Sequence, residues 1–201
     1  TFAVGPFQCN CSILACADTK DAIVVDPGGD LPHIREVLAH YDLTVKWIIH
    51  THAHLDHIYN TRDVKEETGA PIGLHKDDLF LYDAFAMQAQ MFGWPPRDTV
   101  PVDKYYEHGE KLVFGKRSVE VIHTPGHTPG SCCFLLDNEP LLISGDTLFD
   151  GSVGRTDLPG GDFPTLERSI QQRLYTLDPD VKVIPGHGAS TTIGDERRSN
   201  P

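Results

Sequence analysis

Histidine and aspartate are concentrated in a few short segments of the chain. The segment THAHLDH, residues 51–57, places three histidines and one aspartate in seven positions. Three later segments, HTPGHTPG, SGD and PGHG, contain further candidate ligands. The full set of candidates is His52, His54, Asp56, His57, His127, Asp146 and His187. Imidazoles and carboxylates together form a donor set that borderline divalent metals such as zinc prefer, so the sequence predicts a metal site.

The number and spacing of these residues predict two metal ions. Seven ligands exceed one tetrahedral site, and a carboxylate is able to bridge two ions. Spacing by two lets His52 and His54 turn the same way at a strand end, whereas Asp56 and His57 fall on the next turn and could face a second ion. Zinc is the expected metal, and iron or manganese could also occupy His/Asp sites of this kind.

The remaining histidines are interpreted differently. A lone histidine in a loop is usually a polar surface residue, and this interpretation applies to His33, His40, His75 and His108. His50 and His123 stand close to the candidate ligands in the sequence. Both are predicted to be structural or to orient the ligands, because imidazoles near a metal need partners that fix their tautomer.

Short apolar runs that each stop at a turn recur along the chain, and candidate ligands follow four of them. These runs are residues 22–25, 47–49, 119–122, 141–143 and 181–184. Helices are predicted over residues 32–41, 63–68, 77–92 and 164–177, and GEKLVFGKRSVEVI predicts two strands joined at Gly115 and Lys116. Runs such as AIVV and WII indicate sheets covered on both faces, so the predicted fold class is a layered α/β protein.

Length and charge restrict the domain count and the class of partner. With 201 residues and a mass of 22.2 kDa, the chain fits a single domain spanning residues 1–201. The formal net charge of −12 argues against a nucleic-acid partner, because phosphate binding draws on clustered Lys and Arg. No run reaches the roughly 18 apolar residues of a membrane span, so no membrane partner is expected. Nothing in the sequence indicates an oligomeric state.

The five cysteines form neither a zinc motif nor a disulfide framework. Their number is odd and no CxxC pair occurs among Cys9, Cys11, Cys16, Cys132 and Cys133. They are interpreted as buried thiols in a reducing cytosol, which predicts a cytoplasmic protein. Cys132 and Cys133 are adjacent, so on a strand they would point to opposite faces.

Four motifs carry a resemblance to a known family. THAHLDH, HTPGHTPGS, SGDTLF and PGHG resemble, in this order, the motifs of the metallo-β-lactamase superfamily. The resemblance implies an αββα four-layer sandwich with a two-metal site on one edge. It also implies that His52, His54 and His127 hold metal one, that Asp56, His57 and His187 hold metal two, and that Asp146 bridges them. By the same resemblance, Asp26 in VVDPGG would support the metal loops.

Within the superfamily, the chain resembles some branches more than others. Zinc lactamases have a cysteine ligand where this chain has Asp146, and a bridging carboxylate resembles glyoxalase II instead. The segment that contains GRTD, residues 154–157, is similar to compact glyoxalase II-like hydrolases and also to persulfide dioxygenases. The end of the chain from PGHG onward is more similar to the compact hydrolases. Typical glyoxalase II enzymes add a C-terminal helical domain that helps to hold glutathione, and this chain is expected to lack it.

The predicted function is metal-dependent hydrolysis of a thioester such as S-D-lactoylglutathione. A hydroxide held between the two metals would be the nucleophile, and Asp56 would bind metal and orient the water. A thiolate leaves without a strong general acid, so no Ser-His-Asp set is required. Ser131 and Ser144 are interpreted as turn residues. The small-molecule partner would therefore be derived from glutathione.

Two residues are predicted to contact the substrate. Arg155, in a loop shortly after Asp146, is the first choice for an anionic group, and an ion pair with Asp157 or Asp162 is the alternative. Tyr59, directly after THAHLDH, is the second choice. Residues 80–96 could also wall the entrance, although apolar residues at helical spacing more often form core. The candidates for such a wall are Phe85, Met87, Met91 and Trp94.

Two other functions compete with the hydrolase. A persulfide dioxygenase would use one iron held by His52, His127 and Asp146, a 2-His-1-carboxylate arrangement suited to oxygen chemistry. A binding scaffold that uses metals only for structure would hold metal without turnover. The scaffold is less favoured, because the ligands follow exposed strand ends rather than a closed structural site.

Overall fold

The computed structural model describes residues 1–201, which fold into two six-stranded sheets, one short hairpin and seven α-helices. The strands are β1 (Phe2–Val4), β2 (Cys9–Ala15), β3 (Asp21–Val25), β4 (Thr44–Ile49), β5 (Ile72–Leu74), β6 (Lys104–Tyr105), β7 (Lys111–Phe114), β8 (Arg117–His123), β9 (Cys132–Leu136), β10 (Leu141–Gly145), β11 (Leu148–Phe149), β12 (Ser152–Val153), β13 (Lys182–Pro185) and β14 (Thr191–Thr192). The α-helices are α1 (Leu31–His40), α2 (Leu55–Ile58), α3 (Thr61–Thr68), α4 (Leu79–Asp83), α5 (Phe85–Met91), α6 (Phe163–Ser169) and α7 (Ile193–Ser199).

The first sheet has the strand order β1-β2-β3-β4-β5-β6. Strands β1 to β3 pair antiparallel, and β3 to β6 pair parallel. The parallel half places the carboxyl ends of β3 and β4 side by side, with Val25 paired to Ile49. The loops that follow these two strands, residues 26–30 and 50–54, therefore lie next to each other at one edge of the sheet.

The second sheet has the strand order β14-β13-β10-β9-β8-β7. All pairs are antiparallel except β10 and β13, which run parallel, with Gly145 paired to Pro185. The segments SGD and PGHG therefore leave the sheet at the same end. Strands β7 and β8 form the predicted hairpin, and Gly115 takes a positive φ of 63° in its turn.

The two sheets pack face to face and helices cover both outer faces. Ile23 and Val25 of the first sheet pack with Phe134 of the second in the central core. On the outer face of the first sheet, Val24 and Ile48 pack with residues of α1 and α3. Helices α6 and α7 cover the outer face of the second sheet. The predicted αββα four-layer sandwich is confirmed, as is the burial of AIVV and WII on both faces.

The helical segments differ in detail from the sequence prediction. The single helix predicted over residues 77–92 is a 3₁₀ turn at residues 76–78 followed by α4 and α5, which are separated at Ala84. The helix predicted over residues 164–177 is α6 followed by a π-helical turn at residues 170–174. Helices α2 and α7 were not predicted, because four and seven residues are too few for a clear helical period. None of the helices combines the length and the apolar character needed to cross a membrane.

Candidate metal centre

All seven candidate ligands meet at one edge of the sandwich. His52 and His54 lie in the loop after β4, and α2 begins directly afterwards with Asp56 and His57 in its single turn. The second sheet contributes the other three residues from loops after β8, β10 and β13, namely His127, Asp146 and His187. Because both sheets direct these loops to the same edge, residues more than 130 positions apart come into contact.

The three residues assigned to metal one form a tight group, called here the metal-one cluster. His127 Nε2 lies 3.2 Å from His52 Nε2 and 3.0 Å from His54 Nδ1. Nitrogen ligands at tetrahedral positions around zinc, with bonds of about 2.0–2.1 Å, stand about 3.3 Å apart. The spacing of these three nitrogens therefore fits one divalent ion, and the group is among those able to hold a metal.

The residues assigned to metal two, called here the metal-two cluster, are also close together. Asp56 Oδ2 lies 3.1 Å from His187 Nε2 and 3.6 Å from His57 Nε2. The three residues form a second group able to hold a metal ion. Both clusters border on Asp146, so its carboxylate can serve either.

Asp146 lies between the two clusters. Its Oδ1 is 3.5 Å from His57 Nε2, and its Oδ2 is 3.7 Å from His127 Nε2. Both Asp146 Oδ1 and His57 Nε2 are buried and have no hydrogen-bond partner. Buried polar atoms without partners are costly, and a metal ion would satisfy both. The donor set and these orphaned atoms fit the predicted metal centre.

Backbone carbonyls fix the tautomers of two imidazoles. His127 Nδ1 donates to the carbonyl oxygen of Arg155 at 2.7 Å, and His187 Nδ1 donates to that of Phe7 at 3.0 Å. A carbonyl oxygen can only accept, so the proton must stand on Nδ1. The Nε2 of each ring therefore points into the centre. There a metal ion would take the lone pair of His127 and would replace the Nε2 proton that His187 shares with Asp56.

Asp26 accepts hydrogen bonds that hold the loop after β4 in place. Its Oδ1 accepts from the backbone N–H of Thr51 at 2.8 Å, and its Oδ2 accepts from Thr51 Oγ1 at 2.6 Å and from His57 Nδ1 at 3.0 Å. Thr51 Oγ1 in turn lies 3.1 Å from His52 Nδ1. Asp26 therefore holds the loop that carries the candidate ligands, at the position that the resemblance implied. The neighbouring Gly28 lies so close to α2 that a Cβ would stand 1.5 Å from the carbonyl oxygen of Asp56.

Asp78 and Gln88 also hold this loop, and the sequence analysis missed both. Asp78 Oδ2 accepts from the backbone N–H of Ala53, which lies between two ligands, at 2.9 Å. Gln88 accepts from the backbone N–H of Leu55 at 3.0 Å and donates to the carbonyl oxygen of Ala53 at 3.1 Å. In the sequence, Asp78 follows Asp77 at the start of a predicted helix, and this pattern does not predict that Asp78 is buried.

Burial keeps the imidazoles of the metal-one cluster neutral. It lowers the pKa of His54 to about 3, and it lowers the pKa values of His52 and His127 as well. Neutral imidazoles offer the lone pairs that a metal ion needs. These three side chains are therefore ready to bind metal at physiological pH without first losing a proton.

The charged groups of the metal-two cluster shift one another's pKa values. Burial opposes the charge of Asp56, but His57 and a hydrogen bond from His187 hold its pKa below the ordinary value. Burial likewise acts to lower the pKa of His187, but the hydrogen bond to Asp56 and the charge of Asp146 raise it. The pKa of His57 is also raised, because its acidic neighbours outweigh burial. A metal ion would replace the protons that stabilise these carboxylates.

A cavity of about 410 Å³ opens onto the centre. Beside the ligands, its lining includes Phe7, Leu55, Gln88, Phe92, Arg155 and Leu158. Phe7 and Phe92 are 42% and 46% exposed and meet edge to face at 5.2 Å between ring centroids. The residues considered as an entrance wall do not line this cavity. Phe85 is buried in the core, and Met87 and Met91 project into solvent.

The two predicted substrate contacts take different positions. Arg155 lines the cavity, and its guanidinium donates twice to Asp157 at 2.7 Å, so the alternative ion pair is present. Tyr59 does not line this cavity. Its hydroxyl donates to the carbonyl oxygen of Pro95 at 3.1 Å, and the guanidinium of Arg97 lies 4.9 Å from its ring centroid.

The remaining histidines follow the prediction with one exception. His50 is buried with Nε2 3.2 Å from Thr61 Oγ1, and His123 Nε2 donates to the carbonyl oxygen of Pro129, so both are structural. The prediction that His75 is a surface residue is wrong. His75 is 6% exposed, and its ring stacks on that of His123 with 4.0 Å between the ring centroids. It is buried because it directly follows the buried strand β5.

The cysteines are all buried and free, as predicted. Cys132 contributes to the core between the sheets and Cys133 to the core under α6, so they do point to opposite faces. Cys9 Sγ lies 3.5 Å from His57 Nδ1, but burial raises its pKa to about 12. Cys9 faces Nδ1 of His57, whereas the metal-two cluster uses Nε2, so its sulfur does not lie among the candidate ligand atoms.

The comparison with known proteins agrees with this geometry. The sequence pattern described as the Metallo-beta-lactamase superfamily matches residues 4–187, a range that contains every candidate ligand. The chain belongs to the metallo-β-lactamase superfamily. A superfamily relative named hydroxyacylglutathione hydrolase GloC, from Haemophilus influenzae, is 40% identical over 200 residues, which cover 98% of this chain and 94% of that protein.

Two solved structures of superfamily proteins resemble the whole chain. BLEG-1 B3 metallo-beta-lactamase superposes with a TM-score of 0.92 at 37% identity, covering 100% of this chain and 96% of that one. TTHA1623 in a di-iron-bound form superposes with a TM-score of 0.89 at 36% identity, covering 99% and 97%. The chain therefore belongs to a superfamily of metallo-hydrolases. The two clusters at the sheet edge agree with this membership, because each could hold a metal ion.

Proposed function

We propose that this chain is a binuclear metal-dependent thioester hydrolase acting on an acylated glutathione such as S-D-lactoylglutathione. The observation that carries the proposal is the convergence of five imidazoles and two carboxylates beside one open cavity, in two clusters that share Asp146; three of the imidazoles and both carboxylates line this cavity. The likeness to a relative named hydroxyacylglutathione hydrolase supports the choice of substrate. The five reduced, buried thiols support a cytoplasmic location.

The proposed assignment gives each cluster one ion. His52, His54 and His127 hold metal one, Asp56, His57 and His187 hold metal two, and Asp146 serves both. Zinc is proposed for both positions, because nitrogen and carboxylate ligands at these spacings suit it, with iron or manganese as alternatives. Bound divalent ions would lower the pKa of a water from about 15.7 towards neutrality and polarise a carbonyl group.

The side chains around the ions prepare the site for hydrolysis. Asp56 is proposed as the catalytic residue that accepts a hydrogen bond from the attacking water and so orients it. Leu158 and Phe92 contribute apolar surface to the lining of the cavity. A thiolate with a pKa near 8.5 leaves without a strong general acid, so the absence of a Ser-His-Asp set is no obstacle. Ser131 Oγ accepts from the backbone N–H of Thr128. Ser144 lies within β10 rather than in the predicted turn, and its hydroxyl donates to the carbonyl oxygen of Leu148.

Arg155 is proposed as the contact for an anionic group of the substrate. It is the cavity's one guanidinium, and its partner Asp157 is exposed on the same loop. An exposed ion pair contributes little stability, so a carboxylate of glutathione could replace Asp157 at small cost. Tyr59 lies outside this cavity, and its proposed contact would require the substrate to extend beyond it.

The second candidate function is a persulfide dioxygenase with a single iron. Two observations favour it: the GRTD segment, and the position of His127 Nε2, 3.2 Å from His52 Nε2 and 3.7 Å from Asp146 Oδ2. These three side chains offer a 2-His-1-carboxylate face. In this case Asp56 and His187 would not be needed as ligands, which separates the two functions.

The test is hydrolysis of S-D-lactoylglutathione by freshly purified protein whose metal content is counted on the same sample. Rapid turnover with about two ions per chain is the expected result. Absence of turnover together with a single iron would contradict the hydrolase. Oxygen uptake with glutathione persulfide would then be measured to establish the dioxygenase.

A further inference from the structure

The loop that presents the metal-one histidines has little regular structure of its own. Strand β4 ends at Ile49 and α2 begins at Leu55, so residues 50–54 make no sheet or helix ladder. Ala53 is nevertheless fully buried. Buried backbone groups need partners, and here side chains supply them. Whatever holds the N–H and carbonyl groups of Ala53 therefore fixes the direction of the two ligands on either side.

Asp78 connects this loop to the loop that carries His127. Its Oδ2 accepts from the backbone N–H of Ala53 at 2.9 Å and from Thr128 Oγ1 at 2.9 Å. Its Oδ1 accepts from the backbone N–H of Gly130 at 2.6 Å. The side chain is completely buried, and three donors compensate for its desolvated carboxylate. One carboxylate thus joins the two backbone segments that present all three metal-one ligands.

Gly130 provides the space for this connection. A Cβ at that position would stand 2.7 Å from both Cγ and Oδ1 of Asp78. Any larger residue would push the carboxylate away from the two loops. The absence of a side chain at Gly130 therefore permits the close approach of Asp78.

Gln88 holds the opposite side of the same peptide. Its Nε2 donates to the carbonyl oxygen of Ala53 at 3.1 Å, and its Oε1 accepts from the backbone N–H of Leu55 at 3.0 Å. A second Nε2 hydrogen bond, to the carbonyl oxygen of Leu81 at 2.8 Å, fixes the amide to α4. Asp78 and Gln88 thus hold the N–H and the carbonyl of Ala53 from one helical segment, residues 76–91.

We propose that Asp78 and Gln88 are positioning residues for metal one. The inference rests on the two-metal assignment of the proposed function. It adds that metal one has a support of its own. Asp26 contacts both clusters, His57 directly and His52 through Thr51, whereas Asp78 binds only the two segments that carry the metal-one ligands.

The test replaces Asp78 by asparagine and measures metal affinity without any substrate. Asparagine keeps the shape but presents one oxygen and one NH₂ group, so a donor would face the N–H of either Ala53 or Gly130. The affinity for Zn²⁺ is measured by competition with a chromogenic chelator, far below the unfolding temperature. A His187→Ala background weakens the metal-two cluster, so the ion that remains reports on metal one. A His54→Ala background reports on metal two in the same way.

We expect Asp78→Asn to weaken Zn²⁺ binding about 10- to 100-fold in the His187→Ala background, and less than threefold in the His54→Ala background. Gln88→Leu should act in the same direction and decides the question where Asp78→Asn fails to fold. Two controls make matched changes at exposed positions on the same segment, Asp83→Asn and Gln90→Leu, and should bind like their parent.

The Co²⁺-loaded proteins give an independent reading. A shift of the visible ligand-field bands in Asp78→Asn, absent in Asp83→Asn, would show that the metal-one geometry has changed. Unchanged Zn²⁺ affinity in folded Asp78→Asn and Gln88→Leu, or equal weakening in both backgrounds, would overturn the proposal. Because the probe is the metal alone, a failure of the thioester hydrolase would appear only in the turnover assay and would leave this result standing.

Discussion

At the scale of single residues, Asp56 has the most direct catalytic assignment. Its Oδ2 lies 3.1 Å from His187 Nε2, and its side chain lines the cavity. We expect Asp56→Ala to lower kcat/KM for S-D-lactoylglutathione roughly 10²- to 10⁴-fold, because the variant loses both a metal-two ligand and the acceptor that orients the water. Metal counting on the same sample should show fewer ions per chain.

The matched control for Asp56 is Asp150→Ala, which removes a carboxylate from an exposed turn. It should keep the parent rate and metal content. Parent-like hydrolysis by Asp56→Ala would show that the assigned role is wrong. Oxygen consumption that survives the same substitution would favour the single-iron dioxygenase.

Asp78 should also make the free energy of unfolding depend on pH. Burial raises its pKa from 3.8 to about 6, although three hydrogen bonds act in the opposite direction. The folded state therefore binds this proton more tightly than the unfolded chain. The contribution of Asp78 to the free energy of unfolding is largest below pH 3.8 and falls as the pH rises through 6, by roughly 3 kcal/mol.

This contribution is measured as a difference between proteins. Urea unfolding of metal-free parent and Asp78→Asn is compared between pH 4 and 7, since the substitution removes the titration and every other group is shared. The parent should lose stability relative to the variant as the pH rises. A constant difference across this range would contradict the raised pKa, and Asp83→Asn serves as the exposed control.

At the scale of elements, the cavity wall is formed by a turn and a helix end from different parts of the chain. Phe7 lies between β1 and β2, and Phe92 follows α5. Both rings are about half exposed beside the metal centre, which is unfavourable unless a ligand covers them. We expect Phe92→Ala to raise KM for S-D-lactoylglutathione roughly three- to tenfold with kcat nearly unchanged, because contact with the ground state and the transition state is lost equally.

The control for Phe92 is Phe163→Ala, an aromatic residue of similar exposure at the start of α6 that does not line the cavity. Steady-state kinetics should leave its KM at the parent value. An equal rise in KM for both variants would indicate a general effect on stability, and no rise for Phe92→Ala would remove this ring from the substrate site.

The element scale also shows how much of the molecule the sequence predicted. Strand-end ligands were predictable, because β-branched runs followed by His or Asp give two strong local signals in one place. Asp78 and Phe7 were not, since each acts through contacts with residues at least 25 positions away and neither belongs to a motif. The break at Ala84 was missed for a related reason. Alanine favours helix locally, and the packing of α4 and α5 decides the bend.

At the scale of the whole molecule, the metal centre joins the two sheets. The first sheet supplies the loop and helix of residues 50–58, and the second supplies the loops that carry His127, Asp146 and His187. Asp146 Oδ1 and His57 Nε2 are buried at this edge and have no hydrogen-bond partner. Two divalent ions would satisfy these atoms and would change the formal charge from −12 to −8. Metal binding should therefore stabilise the sandwich as a unit.

We expect removal of the metals to lower the unfolding temperature without loss of the fold. An ion present at 1,000 times its dissociation constant stabilises the folded state by about 4 kcal/mol, which for a chain of this size corresponds to roughly 8–16 °C. Calorimetry of chelator-treated and Zn²⁺-reloaded protein measures the shift, and circular dichroism verifies that the metal-free form keeps its strands. The parent's shift should shrink in Asp56→Ala, which keeps one cluster intact, and should persist in Asp150→Ala. Identical unfolding temperatures with and without metal would mean that the two sheets need no ion between their edges.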